Sequence, residues 1–195
     1  MTGHGSGMTT MRTEHQNPRL TELTDAIREC VRAGRSQAHT ADLVRDALRP
    51  FLDVPGLLRE DQRVGDPEHY LQHVLHVEPD ASFSVVALVW LPGQQTPIHD
   101  HVAWCVTGVY QGTESEQHYQ LRQSPAGDYL VPAGLVTNQR GQSCGFAPPG
   151  DIHLVRNCGT ETAISLHVYG ADIGRLGTSV RRVYELPVHS EPGSA

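Results

Sequence analysis

His99 and His101 stand two apart in the run Pro97-Ile98-His99-Asp100-His101. On a strand, residues two apart share a face, so a strand here projects two imidazoles side by side. Neutral imidazoles so placed are a ready pair of ligands for a divalent metal. In a chain with 12 histidines, two surface histidines flanking a turn would spell the same tripeptide. A third histidine favours the metal. Pro148-Pro149-Gly150 forms a turn that delivers His153 at the start of a later strand, with Asn157 four residues on. Asp100 faces away from its two neighbours and is not expected to be a ligand.

The elements that must position these residues change character along the chain. Leu20, Leu23, Ile27, Cys30 and Val31 recur at helical spacing, and Gly34 is a natural stop. Leu43, Val44, Ala47, Leu48, Phe51 and Leu52 repeat the pattern, with Thr40 expected as the cap and Asp42 in the first turn. From Tyr70 the period becomes two. Tyr70, Gln72, Val74 and His76 fall on one face, and Phe83–Leu91 reads as a buried strand ended by Pro92-Gly93. Further strands are expected over 104–110, 115–121, 129–131, 135–137, 154–155, 163–169 and 180–186. Ser165, His167 and Tyr169 share one face of the 163–169 strand, where side chains of any kind would fill a barrel interior.

Many short strands with 19 Gly and 13 Pro in 195 residues suit a sandwich or barrel rather than a helical bundle. The expected organisation is a leader over 1–16, a helical flank over 17–66, a β-barrel over 67–188 and a disordered tail over 189–195. Net charge is −7, all 15 basic residues are Arg, and no basic run occurs, so nucleic acid is not an expected partner. The longest apolar stretch, 83–91, is far short of the ~20 residues that span a bilayer, so no membrane partner is expected. There is no signal-peptide pattern, and four irregularly spaced cysteines do not make a disulfide framework. A cytoplasmic protein is the expectation; oligomeric state is not legible.

Gly93 lies six residues before His99 and Gly112 eleven after His101, with the Pro-x-Gly…His153…Asn157 element much later. These two separated elements resemble the two-part signature of the cupin double-stranded β-helix, a jelly-roll barrel. Where cupins usually carry an acidic ligand after the paired histidines, this chain has Cys105, and nothing acidic follows until Glu114. Three neutral imidazoles leave the full charge on a bound metal and favour a substrate bringing its own anions, such as a thiolate and a carboxylate. The runs Phe83–His101 and Ala163–Gly170 are similar to those of the cysteine dioxygenase family of thiol dioxygenases, and the likeness extends over about residues 70–184.

That resemblance implies Fe(2+) on His99, His101 and His153, and a Ser165–His167–Tyr169 relay beside it. The implied reaction adds both atoms of O2 to a small thiol, giving a sulfinic acid. Family members specific for cysteine carry an Arg two residues after a strand Tyr, whereas 3-mercaptopropionate-type members carry Gln; Tyr70-Leu71-Gln72 matches the second kind. A neutral amide cannot make the charge-assisted fork of an Arg, so Arg181 or Arg182 is the candidate for the missing charge. Animal members join a Cys to the relay Tyr by a thioether; for Cys105 and Tyr169 both this crosslink and a plain buried thiol stay open. 3-Mercaptopropionate is the expected thiol, with L-cysteine as the rival. A non-catalytic metal- or ligand-binding cupin, or nickel or manganese on the same ligands, is the alternative of another kind.

Overall fold

The computed structural model describes residues 17–190. The expected leader, and residues 191–195 of the expected tail, lie outside them. Asn17 opens the fold by capping α1 (Pro18–Arg32), its side chain accepting from the Arg19 amide. Gly34, at φ +63°, follows the end of that helix. The second helix, α2 (Gln37–Leu48), begins earlier than the periodicity suggested. Ser36 is its cap, accepting from the His39 amide, and the expected cap Thr40 is buried inside the first turn. Ser36 takes the role because it is the first residue there whose hydroxyl can reach an unpaired amide at the helix start.

Ten strands follow. They are β1 (Leu71–Val77), β2 (Ser84–Trp90), β3 (His99–His101), β4 (Cys105–Gln111), β5 (Thr113–Arg122), β6 (Tyr129–Gln139), β7 (Ser143–Phe146), β8 (His153–Asn157), β9 (Ala163–Tyr169) and β10 (Val180–Val183), with a short helix α3 (Ile173–Leu176) before the last. They build two five-stranded antiparallel sheets, ordered β1-β2-β9-β4-β7 and β10-β3-β8-β5-β6. The two runs expected at 129–131 and 135–137 are one strand, β6. The ladder absorbs the intervening Pro-Ala-Gly as a bulge, with Tyr119 opposite Pro132 and His118 opposite Gly134. Strand β7 escaped sequence analysis because four residues containing a Gly carry no period. Strand β10 ends at Val183 rather than 186.

The unbroken apolar run of β2 follows from where the helices sit. Val85, Ala87 and Val89 pack with Leu23, Ile27, Val44 and Leu48 on the outer face of the first sheet. Val86, Leu88 and Trp90 face the barrel interior with Tyr169 and Val155. Both faces are covered, so no polar alternation is needed. The same parity rules β9: Ile164, Leu166 and Val168 meet the helical layer, which leaves Ser165, His167 and Tyr169 to the interior. Arg28 pins α1 to the turn after β1, its Nε 2.6 Å from Glu78 Oε1. Beyond β10, residue 188 bridges Leu130, and the His189 amide donates to the Leu130 carbonyl at 2.8 Å.

Gly170, just past the relay strand, has no room for a side chain: an added Cβ would lie 2.1 Å from Trp104 Nε1. Trp104 is buried and its ring is rigid, so the neighbour cannot give way. Gly170→Ala is therefore expected to destabilise by about 1–3 kcal/mol, the usual cost of overpacking, read as a lower urea midpoint at unchanged m-value.

Candidate metal centre and its hydrogen-bonded surroundings

Strand β3 is only three residues long, but it carries two of the three convergent imidazoles. Its partner β8 sets His153 directly opposite His99, so a single pair of neighbouring strands presents all three. Their ligand-capable nitrogens all lie within 4.8 Å of one another, and all three residues are buried. Each ring is oriented by its Nδ1. In His99 this atom lies 3.0 Å from the Pro97 carbonyl, in His101 3.1 Å from Asp151 Oδ2, and in His153 2.5 Å from Glu116 Oε1. A carbonyl or an ionised carboxylate only accepts, so each Nδ1 carries the proton and each Nε2 keeps a lone pair for the centre.

Electrostatics supports that state. Burial, then the neighbouring His153 and His101, lowers the His99 pKa to about 3, and burial lowers that of His101. Both rings are thus neutral and fit to ligate. Burial opposes ionisation of Glu116, yet the hydrogen bond from His153 holds its carboxyl at about 2. Asp151 is likewise held low against burial by the side chain and backbone of His101. His153 Nε2 is buried with no hydrogen-bond partner among the described residues, an arrangement that costs free energy unless something binds it. Three imidazole nitrogens, one of them orphaned, fit a divalent transition metal. His99, His101 and His153 would hold it.

The polar strand face of β9 lies alongside. Ser165 Oγ is 3.0 Å from His167 Nε2, and His167 Nδ1 is 3.1 Å from the Tyr169 hydroxyl. Trp90 Nε1 donates to Ser165 Oγ at 3.1 Å. Burial lowers the His167 pKa to about 3 and raises that of Tyr169 well above the usual phenol range. Both are neutral at physiological pH. The three imidazoles, His167 and Tyr169 line one cavity of about 70 Å3, together with Tyr70, Gln72, Trp90 and Ser179. Gln72, on β1, is exposed, so it sits where the cavity meets solvent.

Two candidates land elsewhere. Arg182 does not line the cavity. Its guanidinium carbon lies 4.5 Å over the Tyr184 ring. The cause is a bulge in β10. Val180 pairs with His101 and shares its inward face, but one residue is skipped, so Arg182 pairs with Asp100 and shares its outward face. Arg181 forms an ion pair with Asp100, which also accepts from the Tyr184 hydroxyl at 2.8 Å. Asp100 thus faces away from the histidines, as alternation requires. Cys105 is buried directly across the ladder from Tyr169, and burial pushes its thiol pKa well up.

Sequence reasoning missed Glu116 and Asp151, which orient two of the ligands. It also gave no role to Glu114, which is buried beside Ser165 and whose carboxyl burial raises to about 8. The alternation of Glu114 and Glu116 along β5 was a legible signal, since two acids on the inner face of a strand need partners. Asp151 left only its place two residues before His153.

Among solved structures, the chain resembles a protein with a double-stranded β-helix domain from Klebsiella pneumoniae (17% identity, 60% of this chain and 86% of that one, TM-score 0.45). It also resembles a cupin superfamily protein from Desulfitobacterium hafniense (10% identity, 56% and 84%, TM-score 0.42). A third is the cupin domain of an XRE family transcriptional regulator from Enterobacter cloacae (16% identity, 51% and 93%, TM-score 0.36). The fold is a barrel of two antiparallel five-stranded sheets with an N-terminal helical flank. The family description "cysteine dioxygenase type I" matches residues 58–175. That span holds all three convergent histidines, the carboxylates that orient them and the whole Ser–His–Tyr chain, and on it the chain belongs to the cysteine dioxygenase type I family.

Proposed function

We propose that the protein is an iron(II)-dependent thiol dioxygenase whose substrate is a small mercapto-carboxylate, 3-mercaptopropionate before L-cysteine. One observation carries the reading: three buried imidazoles with their Nε2 atoms converging share a small cavity with a Tyr hydroxyl held by a neutral His. Iron(II), when bound, would supply the redox-active centre that brings thiol sulfur and O2 together. The reaction is RSH + O2 → RSO2H; sulfur supplies the electrons, so neither a reductant nor a 2-oxo acid is consumed. Within the cavity, the Tyr169 hydroxyl faces the reacting groups and can hold or give a proton at its oxygen, while His167 fixes its direction. Trp90, Leu88 and Val155 keep the walls apolar, which strengthens each polar contact inside.

Gln72 favours the desamino substrate. Its amide N–H at the cavity mouth can donate to a substrate carboxylate, and among the described residues no arginine lines the cavity to add the fork that a cysteine-specific site would use. O2 uptake by anaerobically iron-loaded protein, with 3-mercaptopropionate and L-cysteine in parallel and the sulfinate identified by mass, tests the proposal. The expected result is a larger kcat/KM for 3-mercaptopropionate. Gln72→Ala should raise its KM about tenfold or more, with a smaller change in kcat, because the contact serves binding. A larger kcat/KM for L-cysteine would overturn the Gln72 argument and leave the dioxygenase. No uptake with either thiol while iron stays bound would favour a binding protein instead.

A further inference from the structure

The polar chain that ends at Tyr169 does not begin at Ser165. Glu114 on β5 is buried, and its carboxyl lies beside Ser165, whose hydroxyl eases its ionisation. One carboxyl oxygen, Oε1, has no hydrogen-bond partner among the described residues. Four side chains, Glu114, Ser165, His167 and Tyr169, therefore run in sequence from the barrel wall to the cavity.

A proton on Glu114 Oε1 would find no acceptor among the described residues, and with that arrangement set aside proton counting along this chain leaves two. Trp90 Nε1–H can only donate, so it occupies one lone pair of Ser165 Oγ. Ser165 keeps one proton to give and one lone pair to offer, shared between Glu114 and His167 Nε2. His167 is neutral and has one N–H. If Glu114 is protonated, it donates to Ser165, Ser165 donates to His167 Nε2, and His167 Nδ1–H donates to the Tyr169 oxygen. The phenol proton of Tyr169 then points into the cavity. If Glu114 is ionised, Ser165 donates to the carboxylate, His167 Nε2–H donates to Ser165, and Tyr169 gives its proton to His167 Nδ1. The cavity then meets only an acceptor. The two arrangements differ by one proton, lost from Glu114, and by the tautomer of His167.

We propose that Glu114 is a positioning residue that sets the direction of this relay, and with it whether Tyr169 donates a hydrogen bond to the substrate side of the cavity. The inference rests on the functional reading above for its effect on turnover, but not for the tautomer switch itself. The groups that face Glu114 agree with a switch near neutrality. Burial lifts the Glu114 carboxyl to about 8, and Glu116, on the same strand and held at about 2, adds negative charge in the same direction. On β7, burial keeps the Cys144 thiol protonated. On β8, His153 faces it across Glu116. On β9, His167 is pushed down to about 3 and Tyr169 well up. Within the relay itself, Glu114 is the member that ionises near neutral pH.

The test is nitrogen NMR of histidine-labelled, metal-free protein, with the His167 signals assigned by their loss in His167→Gln. In the wild type His167 should carry its proton on Nδ1 at pH 6.5 and on Nε2 at pH 9.5, approximate values either side of the Glu114 transition. Glu114→Leu offers Ser165 no acceptor, so His167 should stay in the Nδ1–H form throughout. For the iron-loaded enzyme, kcat should fall about tenfold per pH unit above the transition in the wild type, and that limb should be absent in Glu114→Leu. Glu114→Gln, which cannot ionise, should also lose the limb, and serves if the Leu variant fails to fold. An Nε2–H tautomer at pH 6.5, no tautomer change in the wild type, or an unaltered alkaline limb in both variants overturns the proposal. Absence of turnover by the wild type would remove the functional reading alone, since the NMR titration still decides the switch.

Discussion

His153→Ala should yield a protein that no longer retains iron(II) through anaerobic desalting, and Glu116→Gln should weaken the metal by about ten- to a hundredfold. The second result is the more informative. Glu116 does not point its carboxylate at the centre. It accepts from His153 Nδ1 at 2.5 Å, and its other oxygen accepts from the Cys144 thiol at 3.2 Å. Gln keeps an acceptor oxygen for the ring but removes the charge that makes His153 a stronger ligand. It also frees His153 to rotate, because an amide can donate as well as accept. Anaerobic competition with a chromophoric chelator measures the affinity, and circular dichroism confirms the fold. Unchanged affinity in Glu116→Gln would mean that the carboxylate does not tune the ligand. Retention of stoichiometric metal in His153→Ala would mean that the three histidines are not the ligand set.

The difference between His153 and Glu116 also marks what a sequence makes visible here. His99 and His101 are legible because two residues on one strand share a face whatever the strand pairs with. Ser165, His167 and Tyr169 are legible for the same reason. The β-rich body and its two helices follow from a change of hydrophobic period near Tyr70. Glu116 and Asp151 come from other elements, and their roles exist only once β5, β8 and the turn before β8 are in register with β3. Arg182 shows the opposite error. Sequence makes it a candidate only for the charge that Gln72 lacks, and one skipped residue in the β10–β3 ladder turns it outward, with no local signal to announce the bulge. Thr40 was misplaced by a single turn, because Ser36 and Thr40 are both good caps and the apolar pattern begins late. Such errors arise at boundaries and bulges, whereas His99 and His101 share a face on one strand whatever that strand pairs with.

Glu114→Leu should make the protein more stable at pH 8 and leave the gain small at pH 5, the reverse of what removing a useful polar group does. In the unfolded chain this carboxyl ionises near its ordinary 4.5, and in the folded protein at about 8. Between those values folding must bind a proton that the unfolded state has released. The contribution of Glu114 to stability is therefore complete below pH 4.5 and is lost as pH rises through 8. At pH 7 the linkage amounts to on the order of 3 kcal/mol, since each unit of separation is worth about 1.4 kcal/mol. Leu presents no group to desolvate, and Oε1 has no partner among the described residues to lose. Glu116 and Glu78, held at about 2 by His153 and Arg28, work in the opposite direction, but their window lies between pH 2 and 4.5 and is closed above pH 5. For a chain of this size the gain should appear as a rise in Tm of about 5–10 °C at pH 8, shrinking toward pH 5. Thermal melts of wild type and variant at both pH values read it directly. A variant that melts lower than the wild type at pH 8 would show that Glu114 is ionised and well paired there. A relay that switches direction near neutrality would then have no proton to switch it.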